Sequence, residues 1–482
     1  MAAPEPYTVY ASRFLLLLLF ALSSAANAFL WISFAPIFSL TGSWFSVSSA
    51  AVNWLSLVFM VLYLPGSLFA AVSMERLGLR ATLLLGVGGN AAGAWLRYAG
   101  AAALPRSGGG FALAMAGQVL AALVQAVFVN APARIAADWF PRKERDTATV
   151  VASLSNAVGS ALGSVLPTLF VAAPGDLPAF LLGTAVALSA LLLASLAGVR
   201  ADRPPTPPTA AAALRARALA GEAARSGGGG GDGGELSEAL LEGGGGGASS
   251  PGTLAGVLRA YADLLKRRNF LLLTVGFGVG LGLFNAMLTL LSQLLAPCGY
   301  SDNDAGTAGA VLLGAGLLVA AGAGAALEAT RAYAAMLRGG MAAATCALLL
   351  FLGALRPGQA GLVLGAVAVL GAFLIPLLPI ALENAAESTF PVPEDVSSGL
   401  LLNAGNYIGL ALTLGMAPLI GGSCTSVVTP AAGLMVGVQA VAVAALAGFK
   451  GEPLRQEAEA REREAEKAAA AAAAAASSTA LD

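Results

Sequence analysis

Twelve runs of roughly twenty apolar residues, nearly free of charge, decide what this chain can become. They lie near 14–39, 52–73, 81–104, 111–135, 147–171 and 178–199, then near 270–295, 305–327, 331–354, 360–386, 396–420 and 429–449. A segment in hydrocarbon must pair every backbone N–H and C=O internally, and a helix of about 20 residues does so across the whole core. A soluble fold is excluded by surface. Of 482 residues only 11% are charged and 57% are hydrophobic, against roughly 25% charged in an ordinary soluble domain. The fold class that follows is an all-α polytopic membrane protein, with twelve transmembrane helices in two six-helix bundles. Arg13, the Leu15–Phe20 run and the small residues 25–28 have the shape of a signal peptide, but the apolar run continues to Phe38 and is long enough to span.

Basic residues set the orientation. With the N-terminus inside, all but three of the 26 Lys and Arg fall on the cytoplasmic side; Arg97, Arg106 and Arg356 are assigned to the outside. Both termini are therefore expected in the cytoplasm, in the plasma membrane or an internal one. The expected organisation is a short N-terminus (1–13), a first bundle (14–199), a cytoplasmic loop (200–269), a second bundle (270–449) and a cytoplasmic tail (450–482). The loop opens on Pro204-Pro205-Thr206-Pro207-Pro208 and carries pentaglycine runs at 227–231 and 243–247, a composition that buries nothing and predicts disorder. Within it, Leu254, Val257, Leu258, Tyr261, Leu264 and Leu265 recur at helical spacing before Lys266-Arg267-Arg268. This pattern predicts an amphipathic helix over 253–268 on the inner leaflet.

The same composition removes whole classes of chemistry. There is no histidine, so His-based catalysis and metal binding are excluded. A net charge of -1 gives no general attraction to nucleic acid. Cys298, Cys346 and Cys424 are read as apolar fillers of helix packing, with no disulfide framework. With no Ser/His pair and no paired midplane carboxylates, an enzyme is not expected; neither is a cofactor. The expected partners are a small-molecule substrate and the bilayer, with the chain acting as a monomer.

Two six-helix halves joined by a long cytoplasmic loop match the major facilitator layout. Between spans 2 and 3 stands Met74-Glu75-Arg76-Leu77-Gly78-Leu79-Arg80, and the equivalent loop between spans 8 and 9 reads Leu327-Glu328-Ala329-Thr330-Arg331. The repeated acid-to-base pattern predicts a charge latch built on Glu75, Arg76, Arg80, Glu328 and Arg331, closed in one conformational state. The simpler reading is ordinary loop charge.

Further segments carry a resemblance. Asn27-Ala28-Phe29-Leu30-Trp31-Ile32, Asn53-Trp54-Leu55-Ser56-Leu57-Val58, Gly93-Ala94-Trp95, Pro132-Ala133-Arg134-Ile135-Ala136 with Trp139-Phe140, Glu387-Ser388-Thr389-Phe390-Pro391 and Ser397-Ser398-Gly399-Leu400-Leu401 resemble the feline leukaemia virus subgroup C receptor family, solute carrier family 49. The likeness covers all twelve spans but neither the Gly-rich loop nor the tail. It is greatest toward the A3 branch, in Phe34-Ala35-Pro36, Pro132 and Trp139-Phe140-Pro141. It implies a major facilitator fold and transport of small organic solutes. Choline and ethanolamine are carried by some members, haem export was proposed for one, and a vitamin B6 compound is associated with another branch.

Substrates in this layout sit near the midplane between the halves. Asn27 and Trp31 (span 1), Gln125 (span 4), Asn285 (span 7) and Asn403, Asn406 and Tyr407 (span 11) lie within about 7 Å of their span centres in depth. Amides there are costly unless they face a cavity or a partner helix. Asn27, Trp31 and Phe34 share one helical face. The resemblance points the same way. Trp31 stands at the cage tryptophan of the choline-transporting members and Gln125 at their span-4 glutamine. Asn406 replaces a glutamine and Asn285 replaces the tyrosine that completes the aromatic cage, a wall that Phe284 or Tyr407 would supply only by facing inward. The site expected is therefore Trp31, Gln125, Asn285 and Asn406, with Asn27, Phe34, Phe284, Asn403 and Tyr407 lining it. For each, the alternative is helix packing through an interhelical hydrogen bond.

Spans 1 to 6 hold no acidic residue in their interiors. Glu383, about 13 Å from its span centre, and Glu387 one turn on are read as an inner gate with Arg134 or Arg142. These residues favour facilitated, potential-driven movement of a choline- or ethanolamine-like amine. A haem, tetrapyrrole or vitamin-like solute is the alternative, and a non-transporting membrane receptor or scaffold is the alternative of another class.

Overall fold

The computed structural model describes residues 9–206, 254–330, 332–389, 394–422 and 429–452, together with 392, 424, 454 and 457. The described residues are helical almost throughout. In chain order the first half comprises α1 (Ser12–Ile32), α2 (Phe38–Phe45), α3 (Ser49–Val61), α4 (Tyr63–Arg76), α5 (Gly78–Ala103), α6 (Gly108–Asn130), α7 (Pro132–Trp139), α8 (Arg142–Phe170) and α9 (Leu177–Gly198). The helix α10 (Leu254–Leu265) leads into the second half: α11 (Arg268–Leu295), α12 (Asp302–Thr330), α13 (Tyr333–Ala354), α14 (Ala360–Leu374), α15 (Leu377–Thr389), α16 (Glu394–Met416) and α17 (Pro430–Gly448). Among the described residues each of the twelve apolar runs is largely helical. Ten spans among them are long and apolar enough to cross a membrane unaided, or eleven if α2 and α3, which meet at 113°, count as one. Two of the expected runs fall short for identifiable reasons. The second is divided at Leu62 between α3 and α4, and the third, α5, carries Asn90 and Arg97 among its apolar residues.

The two halves repeat one packing scheme. In the first, α1 packs on α8, α4 on α6, and α5 on α9; in the second, α11 packs on α16, α12 on α14, and α13 on α17. Small residues make these approaches possible, since membrane helices associate by close van der Waals contact rather than by expelling water. The seam between α5 and α6 is one example. Gly93 faces Gly117 and Gly100 faces Gly110, and a β-carbon on Gly93 would stand 2.6 Å from the Gly117 carbonyl oxygen. Between the halves, α8 packs on α12, and α16 packs on α3 and α4.

One expectation is corrected here. Cys298, after α11, and Cys424, before α17, form a disulfide, while Cys346 is free and exposed. The two partners end different spans on the same face of the molecule, which their separation of 126 residues conceals. The helix α10 forms within 253–268 and packs against α16 and α11, burying Leu264 in the core of the second half. The glycine-rich part of the loop and most of the tail lie outside the described residues.

Candidate functional site

Polar contacts join the halves on the face away from the termini. Gln293 Nε2 donates to Asn53 Oδ1 at 2.6 Å, and Ser292 Oγ donates to the Pro36 carbonyl at 3.2 Å. Ser39 Oγ donates to Asp302 Oδ2 at 2.5 Å, and Thr168 Oγ1 to Asn303 Oδ1 at 3.3 Å. Ser164 of α8 lies against Gly306 and Gly309 of α12. This face is closed.

Beneath it, α1 is tied to three neighbours. Asn27 Nδ2 donates to Asn90 Oδ1 at 2.8 Å and to the Ala121 carbonyl at 2.9 Å. Gln118 Nε2 donates to the carbonyls of Leu30 and Leu55 at 3.2 and 2.9 Å, and Ser56 Oγ to that of Trp31 at 3.2 Å. Asn27 has no exposed surface; its Nδ2 is spent on packing while its Oδ1 has no partner, and Phe34, also fully buried, lies beneath the Arg97 guanidinium.

These contacts set Asn27 level with Ala121 and Leu30 level with Gln118 on the antiparallel α6. Trp31 therefore stands about one turn above the layer and Gln125 about one turn below it, some 12 Å apart along the axis. Between them the structure adds two residues absent from the sequence reading. Gly66 abuts the Leu123 carbonyl, which sets Ser67 and Tyr63, one turn apart on α4, at depths between those of Trp31 and Gln125. Trp31 Nε1, the Tyr63 hydroxyl, the Ser67 hydroxyl and Gln125 Oε1 are all buried without a hydrogen-bond partner. A buried polar atom with no partner costs about 1–3 kcal/mol, and these four lie on three helices within about 12 Å of depth; Asn27 Oδ1, Gln118 Oε1 and Asn403 Oδ1 are unpartnered as well. Tyr63 is legible in the sequence as the central residue of the second run.

The second half contributes differently. Asn285 is buried, its β-carbon 3.2 Å from where one on Gly409 would be, and Phe284 is half-buried against the core. Asn406 Nδ2 donates to its own helix, to the Leu402 carbonyl at 2.9 Å. Asn403 Nδ2 donates to the Gly399 carbonyl at 2.8 Å and to the Tyr261 hydroxyl of α10 at 3.4 Å. Tyr407 lies on the seam between halves rather than closing a cage. Pro65 has no N–H for the Val61 carbonyl one turn back, and the Tyr407 hydroxyl donates to that carbonyl at 3.4 Å. Tyr407→Phe is expected to cost about 1 kcal/mol of stability while leaving solute affinity unchanged. Thermal unfolding and a binding isotherm on the purified variant decide between seam and cage; an affinity loss as large as that of a Trp31 variant refutes the seam assignment.

The charged residues form separate clusters at the terminal face. Arg13 pairs with Glu144 at 3.0 Å, joining α1 to α8. Arg134 pairs with Asp138 one turn on, at 3.8 Å. Arg76 is exposed. Arg80 Nε donates to the Val199 carbonyl, and its backbone N–H to Asp202 Oδ1, both at 2.8 Å. The Asp202 carboxylate thus sits on the first turn of α5, where a helix N-terminus favours negative charge. Gly78 permits this approach at φ 81°, a backbone conformation that side chains disfavour. Glu387 is buried and Glu383 half-buried on α15. The side chains of Glu75, Arg142 and Glu328, and the whole of Arg331, lie outside the described residues. Arg97, counted with the outside basic residues, lies within α5 with no exposed surface. Its helix continues to Ala103, a continuation the run over 81–104 already contains.

The comparisons with known proteins fit this geometry. The family model described as Major Facilitator Superfamily matches residues 16–414. Solute carrier family 49 member A3 of Danio rerio is 30% identical over 84% of this chain and 77% of its own length. The choline/ethanolamine transporter FLVCR1 of Mus musculus is 28% identical over 86% of this chain and 71% of its own. Among solved structures, a D-xylose–proton symporter superposes with a TM-score of 0.63 at 12% identity, covering 91% of this chain and 98% of that one.

Proposed function

Because the chain belongs to the major facilitator superfamily, and within it to solute carrier family 49, we propose that it moves a choline- or ethanolamine-like amine across a membrane by alternating access. That it is a transporter and not an enzyme follows from the family. The substrate reading rests on one observation, the unpartnered set of Trp31, Tyr63, Ser67 and Gln125. The carbonyl of Gln125 and the two hydroxyls accept hydrogen bonds from an amine or a primary alcohol. The rings of Trp31 and Tyr63 offer negative faces to an ammonium group, worth up to about 2 kcal/mol each when desolvated. Tyr63 supplies the second aromatic wall that Asn285 cannot. The relatives named as choline/ethanolamine transporters support the same reading.

The disulfide supports the orientation. Disulfides persist in oxidising compartments, so the face bearing Cys298–Cys424 is the outer or lumenal one, and the termini lie in the cytoplasm. With the outer face closed, the chain is read as facing inward. It works as a monomer, and transport is facilitated, since the unpartnered set holds no acid to carry a proton. Arg134 and Glu387 are the inner-gate residues on this reading.

The test is binding of choline, ethanolamine, pyridoxine and haem to the purified protein, repeated with Trp31→Ala, Trp31→Phe and Tyr63→Ala. Choline or ethanolamine should bind, with affinity falling at least tenfold in Trp31→Ala and Tyr63→Ala and largely kept in Trp31→Phe. If an amine binds all variants equally, the cage is wrong; if only haem or pyridoxine binds, the substrate class is wrong.

A further inference from the structure

Arg97 stands apart from the other charges among the described residues. It is the one fully buried charged side chain among the described residues. Its Nη2 donates to Ser33 Oγ at 2.7 Å, and its Cζ lies 4.3 Å from the centre of the Phe34 ring. Its Nε and Nη1 have no partner, and no carboxylate pairs with it. Removing a charge from water costs more than one hydrogen bond and one ring face return. The guanidinium is therefore held at a net energetic loss in this conformation.

Its position gives that loss a use. Ser33 and Phe34 form the bend between α1 and α2, and two residues further on the Pro36 carbonyl accepts the Ser292 hydrogen bond that joins the halves. Beyond it, Ser39 on α2 reaches Asp302 of the second half. Arg97 thus lies directly behind the segment that closes the outer face. When that segment swings away, the guanidinium gains access to water and its unused donors are satisfied.

We propose that Arg97 is a spring: its strained burial raises the energy of the outside-closed state and drives the outer face to reopen after each cycle. This rests on alternating access but not on the identity of the solute. The opposite role, a clamp that favours the closed state, predicts different signs. Under the spring, Arg97→Met keeps the stem, removes the charge and favours closure. Ser33→Ala deletes the remaining hydrogen bond, leaves the charge more poorly served and favours opening. Under a clamp, both substitutions favour opening.

The experiment measures distances by pulsed electron spin resonance, without substrate, between spin labels at Leu104→Cys and Gln359→Cys. These exposed positions lie at the outer ends of the first and second halves, and Cys346 is replaced by Ser in the same protein. Arg97→Met is expected to shift the ratio of short to long distances at least tenfold toward short, and Ser33→Ala to shift it toward long. A shift of both variants in the same direction, or of neither, overturns the spring. If Arg97→Met does not fold, Arg97→Gln, which also removes the charge, takes its place: movement toward short distances supports the proposal, and no movement or movement toward long distances refutes it. Because no substrate is present, failure of the amine reading leaves this outcome untouched.

Discussion

Oxidation of a Ser164→Cys/Gly309→Cys protein is expected to reduce uptake to about a tenth or less, and mild reduction to restore it. The two positions face each other across the seam between α8 and α12. A β-carbon placed on Gly309 stands 3.1 Å from that of Ser164 and 3.0 Å from its hydroxyl oxygen. A disulfide wants about 3.5–4.5 Å between β-carbons, so the helices need give only a few tenths of an ångström. The bond joins the two halves near the face where Asn53–Gln293 and Ser39–Asp302 already meet. A transporter that must open this face cannot complete a cycle with the seam welded. The background is Cys346→Ser, which leaves the native Cys298–Cys424 bond in place; that bond lies within the second half and holds nothing across the seam. Each single-cysteine protein serves as the control for reductant acting on the native bond. If the cross-link forms, as shown by loss of thiol labelling, and uptake continues at the uncross-linked rate, the outer face does not open and alternating access is wrong for this chain.

Much of the architecture was legible because the bilayer imposes so few solutions. Run length gave each helix, and the distribution of basic residues gave the expected side for each loop. The packing scheme that repeats in the two halves follows from the same covalent order of helices. What was not legible depends on direction around a helix axis, which run length does not encode. Asn27 and Trp31 share a face and similar depth in the sequence, yet the Asn27 Nδ2 is bound by Asn90 and Ala121, leaving only its Oδ1 free, while the Trp31 indole N–H has no partner at all. The difference is which neighbouring helix each meets. Tyr63 was overlooked because depth was reckoned only for the spans expected to line the path, whereas the second span, divided at Leu62, buries the hydroxyls of Tyr63 and Ser67 at that depth. Arg97 was counted with the outside charges because it stands near the end of an apolar run, although six more residues of helix follow it. The disulfide required knowing that two loops distant in the chain share one face, which the expected topology already contained and spacing alone did not reveal.

Gly117→Val is expected to be strongly damaging. The carbonyl oxygen of Gly93 and the backbone N of Arg97 both lie against the site, the latter 3.1 Å from an added β-carbon, with Arg97 Cγ at 2.9 Å. The first two are backbone atoms on α5 and cannot rotate away. The helices must part along a seam where Gly93–Gly117 and Gly100–Gly110 fix the spacing over two turns. Overpacking of this kind costs about 1–3 kcal/mol where side chains can yield; here a helix must move, and the close van der Waals contact that holds membrane helices together is lost along its length. Parting α5 from α6 also loosens the Gln118 and Asn27 bonds that set the register of α1 beside α6, and so the depth of Trp31 relative to Gln125. The variant should therefore show a large fall in melting temperature and in the yield of monodisperse protein. Gly365→Ala, where nothing lies within 4 Å of the added carbon, should be neutral or slightly stabilising, because alanine is the better helix former by about 1 kcal/mol. Equal melting temperatures for the two variants would mean that the α5–α6 seam is not packed as described, and that the depth order of the candidate site built on it is wrong.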